Sequence, residues 1–152
     1  MNRTIPEEEI IGEVKTMGYI IAIPRKLSPS YYKLTDNTVI RAAITINYLI
    51  PNRQQTDGFS INSTNNIAAF VPKEKRKLES FRTSSETQFE ILDEDVEFEV
   101  LQEPFSVYDL SNDFVLSIKT VVAQVKKTKA VTSEGEPIYN VIVNPILKFK
   151  KK

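Results

Sequence analysis

The stretch "TVIRAAITINYLI" (38–50) constrains the fold more than any other part of this chain. Its even positions, Ile40, Ala42, Ile44, Ile46, Tyr48 and Ile50, are apolar, while Arg41, Thr45 and Asn47 fall on odd ones. Side chains alternate across a β-strand, so a period of two turns one face to a core and the other to water. "DVEFEVL" repeats the pattern, with Val96, Phe98 and Val100 alternating with Glu97 and Glu99. Apolar, β-branched segments at 10–15, 18–24, 60–71, 88–92, 114–128 and 138–149 read as further strands. Turn residues separate them: Gly18, "KLSPS" at 26–30, "TDN" at 35–37, "QTDG" at 55–58 and "SEGEP" at 133–137. The one helical signal is "PKEKRKLESF", where Pro72 suits the opening of a short turn. The pattern predicts an all-β domain over 1–152, with about eight antiparallel strands in a sandwich or barrel.

The last two segments read as one long hairpin. Gly135 supplies a positive φ and Pro137 fixes the exit of the turn. Tyr139, Val141, Val143, Leu147 and Phe149 form one face of the returning arm; Ile138, Asn140, Ile142, Asn144 and Ile146 form the other. Pro145 has no amide hydrogen, which makes that arm an edge strand or a bulged one. The "SEGEP" loop is expected to be an exposed connection, not a ligand-gripping or catalytic element.

Residues 32–49 lie over residues 108–125. Tyr32 matches Tyr108, Leu34 matches Leu110 and Val39 matches Val115, and Thr35-Asp36-Asn37 meets Ser111-Asn112-Asp113. Each copy is followed by a loop glycine, Gly58 or Gly135, and another strand. This suggests an internal repeat, 8–75 and 84–152, whose halves of about four strands pair around a pseudo-two-fold. Neither half, with open strand edges, would be comfortably stable alone.

Composition narrows function. The 152 residues include 20 basic and 20 acidic side chains, so net charge points to neither nucleic acid nor membrane. The absence of Cys removes disulfides, thiol nucleophiles and thiolate metal sites. The absence of His removes the usual base near neutral pH and the commonest transition-metal ligand. No apolar run approaches the ~18–20 residues of a membrane span, and the N-terminal stretch lacks an apolar signal core, so a cytoplasmic protein is expected. Four glycines form no phosphate loop. These residues nominate no catalytic group, cofactor, metal or small-molecule substrate.

Two charged blocks remain. Glu86, Glu90, Asp93, Glu94, Asp95, Glu97, Glu99 and Glu103 form an acidic one. Asp93 with Asp95, or Glu97 with Glu99, would suit a hard cation, but the calcium-loop spacing and turn glycine are missing, and a solvated strand face is the simpler account. Seven lysines crowd 126–152, namely Lys126, Lys127, Lys129, Lys148, Lys150, Lys151 and Lys152, and "KEKRK" adds more at 73–77. Lysines on an edge strand deter aggregation. Acidic and basic zones in a neutral chain also suit head-to-tail association, or pairing of neighbouring strands within one molecule. The polar tract 52–66 reads as a surface loop entering the next strand, or one that touches a partner. The expectation is a non-enzymatic interaction or assembly module, self-associating or protein-binding. The alternative is a β-barrel binding single-stranded nucleic acid through Lys126, Lys127, Lys129, Tyr139, Lys148 and Lys150, phosphates on the lysines and bases on the aromatic.

Overall fold

The computed structural model describes residues 4–52, 58–76 and 90–152. A helix, α1 (Glu7–Thr16), comes first. Nine strands follow among the described residues: β1 (Ile20–Lys26), β2 (Ser30–Leu34), β3 (Val39–Pro51), β4 (Phe59–Phe70), β5 (Ile91–Asp93), β6 (Phe98–Gln102), β7 (Phe105–Leu110), β8 (Phe114–Val131) and β9 (Pro137–Lys151). All pair antiparallel in one sheet of order β5-β8-β7-β1-β3-β2-β6, with β4 added to β3 and β9 added to β8. The sheet does not close into a barrel. It folds over so that the inner face of β3 meets that of β8.

The strand predicted at 10–15 is a helix instead. Glu7, Glu8 and Glu9 fill the first turn after Pro6, and Lys15 sits in the last, each complementing the helix dipole. Gly18, at φ 94°, then redirects the chain into β1. Pro72 opens only a 3₁₀ turn at Lys73–Lys75, and the remainder of that predicted helix, from 77 onward, lies outside the described residues.

Alternation in β3 holds from Ile40 to Ile46, all on the buried face, and then breaks. The register shifts between Ile46 and Tyr48, where Asn47 is the extra residue against β4. A bulge of one residue turns every later side chain to the opposite face. Leu49 is therefore fully buried and Ile50 is 39% exposed, the reverse of the expected pattern. A second shift, between Tyr31 and Tyr32 against β6, makes Leu101 the extra residue; Val100, opposite Tyr32, is 51% exposed although Val96 is buried.

Each half supplies strands to both core clusters. The first gathers Ile20, Ala22, Ile46 and Leu49 with Tyr108, Leu110, Leu116 and Ile118. The second gathers Tyr32, Leu34, Ile40 and Ala42 with Val96, Val122 and Val125, and Phe98 packs against it. Adding or subtracting 76 converts each of these positions in one cluster into a position of the other. Asn37 and Asp113 both adopt positive φ, 71° and 68°, but the turns differ in bonding: Thr38 N donates to Asp36 Oδ1 at 3.0 Å, whereas Asn112 Oδ1 is buried without a partner among the described residues.

Buried tyrosines occupy the places where the sheet divides. β3 pairs with β2 through residues 39–42 and with β1 through 48–49, leaving the amide of Ile46 facing no strand on that side. Tyr108 Oη accepts that amide at 3.2 Å. On β8 the amide of Val122 is accepted by Tyr32 Oη at 3.0 Å. Thr120 Oγ1 accepts the amide of Ile44 at 2.8 Å. Unpaired buried amides are costly, so these hydroxyls allow the sheet to open between strands without leaving backbone donors bare.

Candidate interaction site at the open edges of the sheet

Among the described residues, the two longest hairpins each end in an edge strand: β4 pairs only with β3, and β9 only with β8. The two edges are chemically different. β9 carries Pro145 at its middle and Lys148, Lys150 and Lys151 toward its end, features that obstruct addition of another strand. β4, "FSINSTNNIAAF", runs twelve residues without a charge, a proline or a glycine. Its bulge lies on the partner strand β3, so β4 itself stays regular.

Facing pairs with β3 define the two sides of β4. Ile61, Ser63, Asn65, Ile67 and Ala69 sit opposite buried β3 residues; Asn62, Thr64, Asn66, Ala68 and Phe70 lie on the outer side. The outer side is a hydrogen-bonded polar ladder. Asn47 Nδ2 donates to Asn62 Oδ1 at 2.8 Å and to Thr64 Oγ1 at 2.9 Å, and Asn66 Nδ2 donates to Thr45 Oγ1 at 3.0 Å. Phe70 is 50% exposed beneath the guanidinium of Arg41, which lies 5.3 Å from its ring centre. Cross-strand contacts of this kind hold a strand flat and in register. The tract 52–66, read as a loop entering the next strand, is strand from Phe59 onward; Asn62, Thr64 and Asn66 belong to the solvent-facing ladder, and 53–57 lie outside the described residues.

Between the two edges the layers separate. Phe59 stacks on Phe149 with ring centres 5.5 Å apart, closing one end. Beyond it lies a cleft of about 470 Å³, floored by Ile44, Ile46 and Ile118 and walled by Ile61, Pro145 and Leu147.

The residues nominated for nucleic acid do not form one surface. Lys126 Nζ lies 3.5 Å from Glu94, and Lys129 Nζ lies 2.7 Å from Glu90, so the acidic and basic blocks meet within the molecule. Lys127 and Tyr139 are cross-strand partners near the turn, while Lys148 and Lys150 pair with Ser117 and Val115 at the opposite end of β9. Tyr139 is half-buried, packs against the second core cluster and donates its hydroxyl proton to Asp36, so its ring offers no face for stacking a base. The aromatic that does meet lysines is Phe105, with Lys119 and Lys148 Nζ at 4.8 and 4.6 Å from its centre. Sequence reading missed it because only the β7–β8–β9 register brings these residues together.

The "SEGEP" segment is a hairpin turn, closed by Thr132 N donating to the Glu136 carbonyl at 2.8 Å. Ser133 and Glu134 are exposed, but Gly135 is buried at φ 81°. With Pro137 it borders a hollow of about 450 Å³ that Asp36, Lys127 and Lys129 also line. Burial pushes the Asp36 carboxyl up, but hydrogen bonds from Tyr139 and Thr38 and the field of Lys127 outweigh it and hold the carboxyl below its usual value. Burial, then the bond to Asp36, pushes the Tyr139 phenol up to about 12. The two groups are driven away from neutrality in opposite directions, so neither is poised to exchange a proton near pH 7. Of the proposed cation ligands, Asp93 Oδ1 accepts the amide of Asp95 at 3.0 Å in a local turn. No helix among the described residues is long and apolar enough to cross a membrane. No protein-family model, curated protein or solved structure matches this chain.

Proposed function

We propose that this protein is a non-enzymatic interaction and assembly module that engages its partner through an open strand edge. The observation carrying this reading is β4: among the described residues it is a long edge strand with no charge, proline or bulge of its own. An exposed edge offers a row of backbone donors and acceptors, and strand addition is a common way for proteins to bind extended segments. Charge zoning does not carry the reading, because Glu90 and Glu94 already pair with Lys129 and Lys126.

Light scattering across protein concentration, at low and high salt, tests the proposal. Mass is expected to rise with concentration and to change little with salt, because β4 brings no charge to the contact. A strict monomer throughout, with no partner retained from cell extract, overturns it.

A further inference from the structure

Resting on that reading, we propose that the partner of β4 is β4 of a second copy, paired antiparallel about a two-fold axis centred on Thr64. A two-fold perpendicular to a sheet places a residue opposite itself and keeps inner faces on one side, which makes the interface self-complementary and closed. Centring on Thr64 matches like with like at three pairs, and sets Ser63 against Asn65, Ser60 against Ala68 and Phe59 against Ala69. Ile61 falls opposite Ile67 on the inner face, and Asn62 falls opposite Asn66 on the outer face, with Thr64 opposite Thr64 between them. Ile67, 41% exposed in the single chain, gains an apolar neighbour. The Asn/Thr ladder continues from β3 through both copies of β4, and amide and hydroxyl side chains pair across strands without repulsion.

The absence of charge permits pairing with a second copy. With no charged residue on the strand, two copies of β4 meet with no like charges opposed. β9 is a poor mate: Pro145 interrupts its donors, and Lys148, Lys150 and Lys151 would face themselves in a symmetric pair. A β4–β9 contact would be head-to-tail, and its mate's edge carries the same obstructions.

The chain has no cysteine, so a single introduced thiol reports the axis directly. Residues opposite each other in an antiparallel pair have Cα atoms about 4.5–5.5 Å apart, within disulfide reach. Thr64→Cys in the full chain, under mild oxidation, is expected to convert to a covalent dimer on a non-reducing gel. Asn144→Cys on β9, equally exposed, is expected to remain a monomer. Thr64→Lys, which opposes two ammonium groups at the axis, is expected to weaken self-association at least tenfold in sedimentation velocity, with circular dichroism unchanged. If Thr64→Cys fails to cross-link where the parent chain dimerises, the partner is not on β4, though the interaction module stands. Thr64→Lys dimerising like the parent has the same consequence. A parent chain monomeric at every concentration overturns β4 self-pairing; only the further absence of any partner removes the broader reading. If Thr64→Lys does not fold, the cross-linking result decides alone.

Discussion

At the scale of single residues, the hydroxyls of Tyr32 and Tyr108 carry more consequence than their rings. Tyr108→Phe keeps the packing but strips the acceptor from the buried Ile46 amide, and is expected to cost about 1–3 kcal/mol in urea unfolding. Tyr32→Phe should cost at least as much, since it also frees Glu103, which accepts the Tyr32 hydroxyl. A loss below ~0.5 kcal/mol in both would mean that these amides find other partners. The phenols also set an alkaline limit. Burial and then Glu103 raise Tyr32 to about 12, and burial and then Asp36 raise Tyr139 to about 12. In the unfolded chain both ionise near ~10, so between these values the unfolded state holds fewer protons and stability falls as pH rises. Their contribution is complete below the lower value and lost through the upper one. Melting temperature is expected to drop across that window, and Tyr139→Phe should flatten the drop. The acid side has the opposite sign. Asp36, held below its usual value, contributes stability that vanishes as pH falls through its folded pKa. Removing the Tyr139 hydroxyl should move acid unfolding to higher pH, as melts between pH 2 and 5 would show.

At the scale of elements, the β8–β9 hairpin separates tolerant from intolerant positions. Ser133 and Glu134 are exposed at its tip, whereas Gly135 is buried at positive φ. Two residues inserted between Ser133 and Glu134 should cost little, because even a doubling of loop length costs only about 0.6 kcal/mol of closure entropy. Gly135→Ala forces a side chain into a left-handed conformation and should cost more than the insertion. Val141→Asp places a charge beside Tyr32, Leu34 and Val125, and the domain is expected to unfold or to melt far lower. Thermal melts rank the three. An insertion more damaging than Val141→Asp would show that the turn, not the packed face, holds the hairpin.

At the scale of the whole molecule, the two core clusters are coupled because both halves build each of them. β1 lies between β3 of its own half and β7 of the other, while β6 pairs with β2 across the same division. Ile118→Ala in one cluster and Val125→Ala in the other are each expected to cost about 2–5 kcal/mol and to shift one common transition. Fluorescence and circular dichroism should report the same midpoint in each variant. Separate transitions for the two variants would show that the clusters melt independently.

Strand content, the facing of β9 and the matched turns at 35–37 and 111–113 were legible in the sequence. They depend on local quantities: side-chain alternation, β-branching and Asx turn chemistry. The helix at 7–16 is misread as a strand at 10–15 when its apolar residues are weighed above the Pro-Glu-Glu-Glu start and the lysine in its last turn. The strand expected at 60–71 is β4, Phe59–Phe70, but nothing local showed that it would lie at an edge of the sheet. Other features depend on register between distant segments. The β3 bulge that buries Leu49 instead of Ile50 arises from how β4 pairs with β3. The partner of the Tyr139 hydroxyl, Asp36, lies about 100 residues earlier, and the ion pairs of Lys126 and Lys129 require β8 to lie beside the acidic segment. Alternation decides which side chains share a face, but it carries no record of which strand lies opposite, and that was settled only when the sheet folded over on itself.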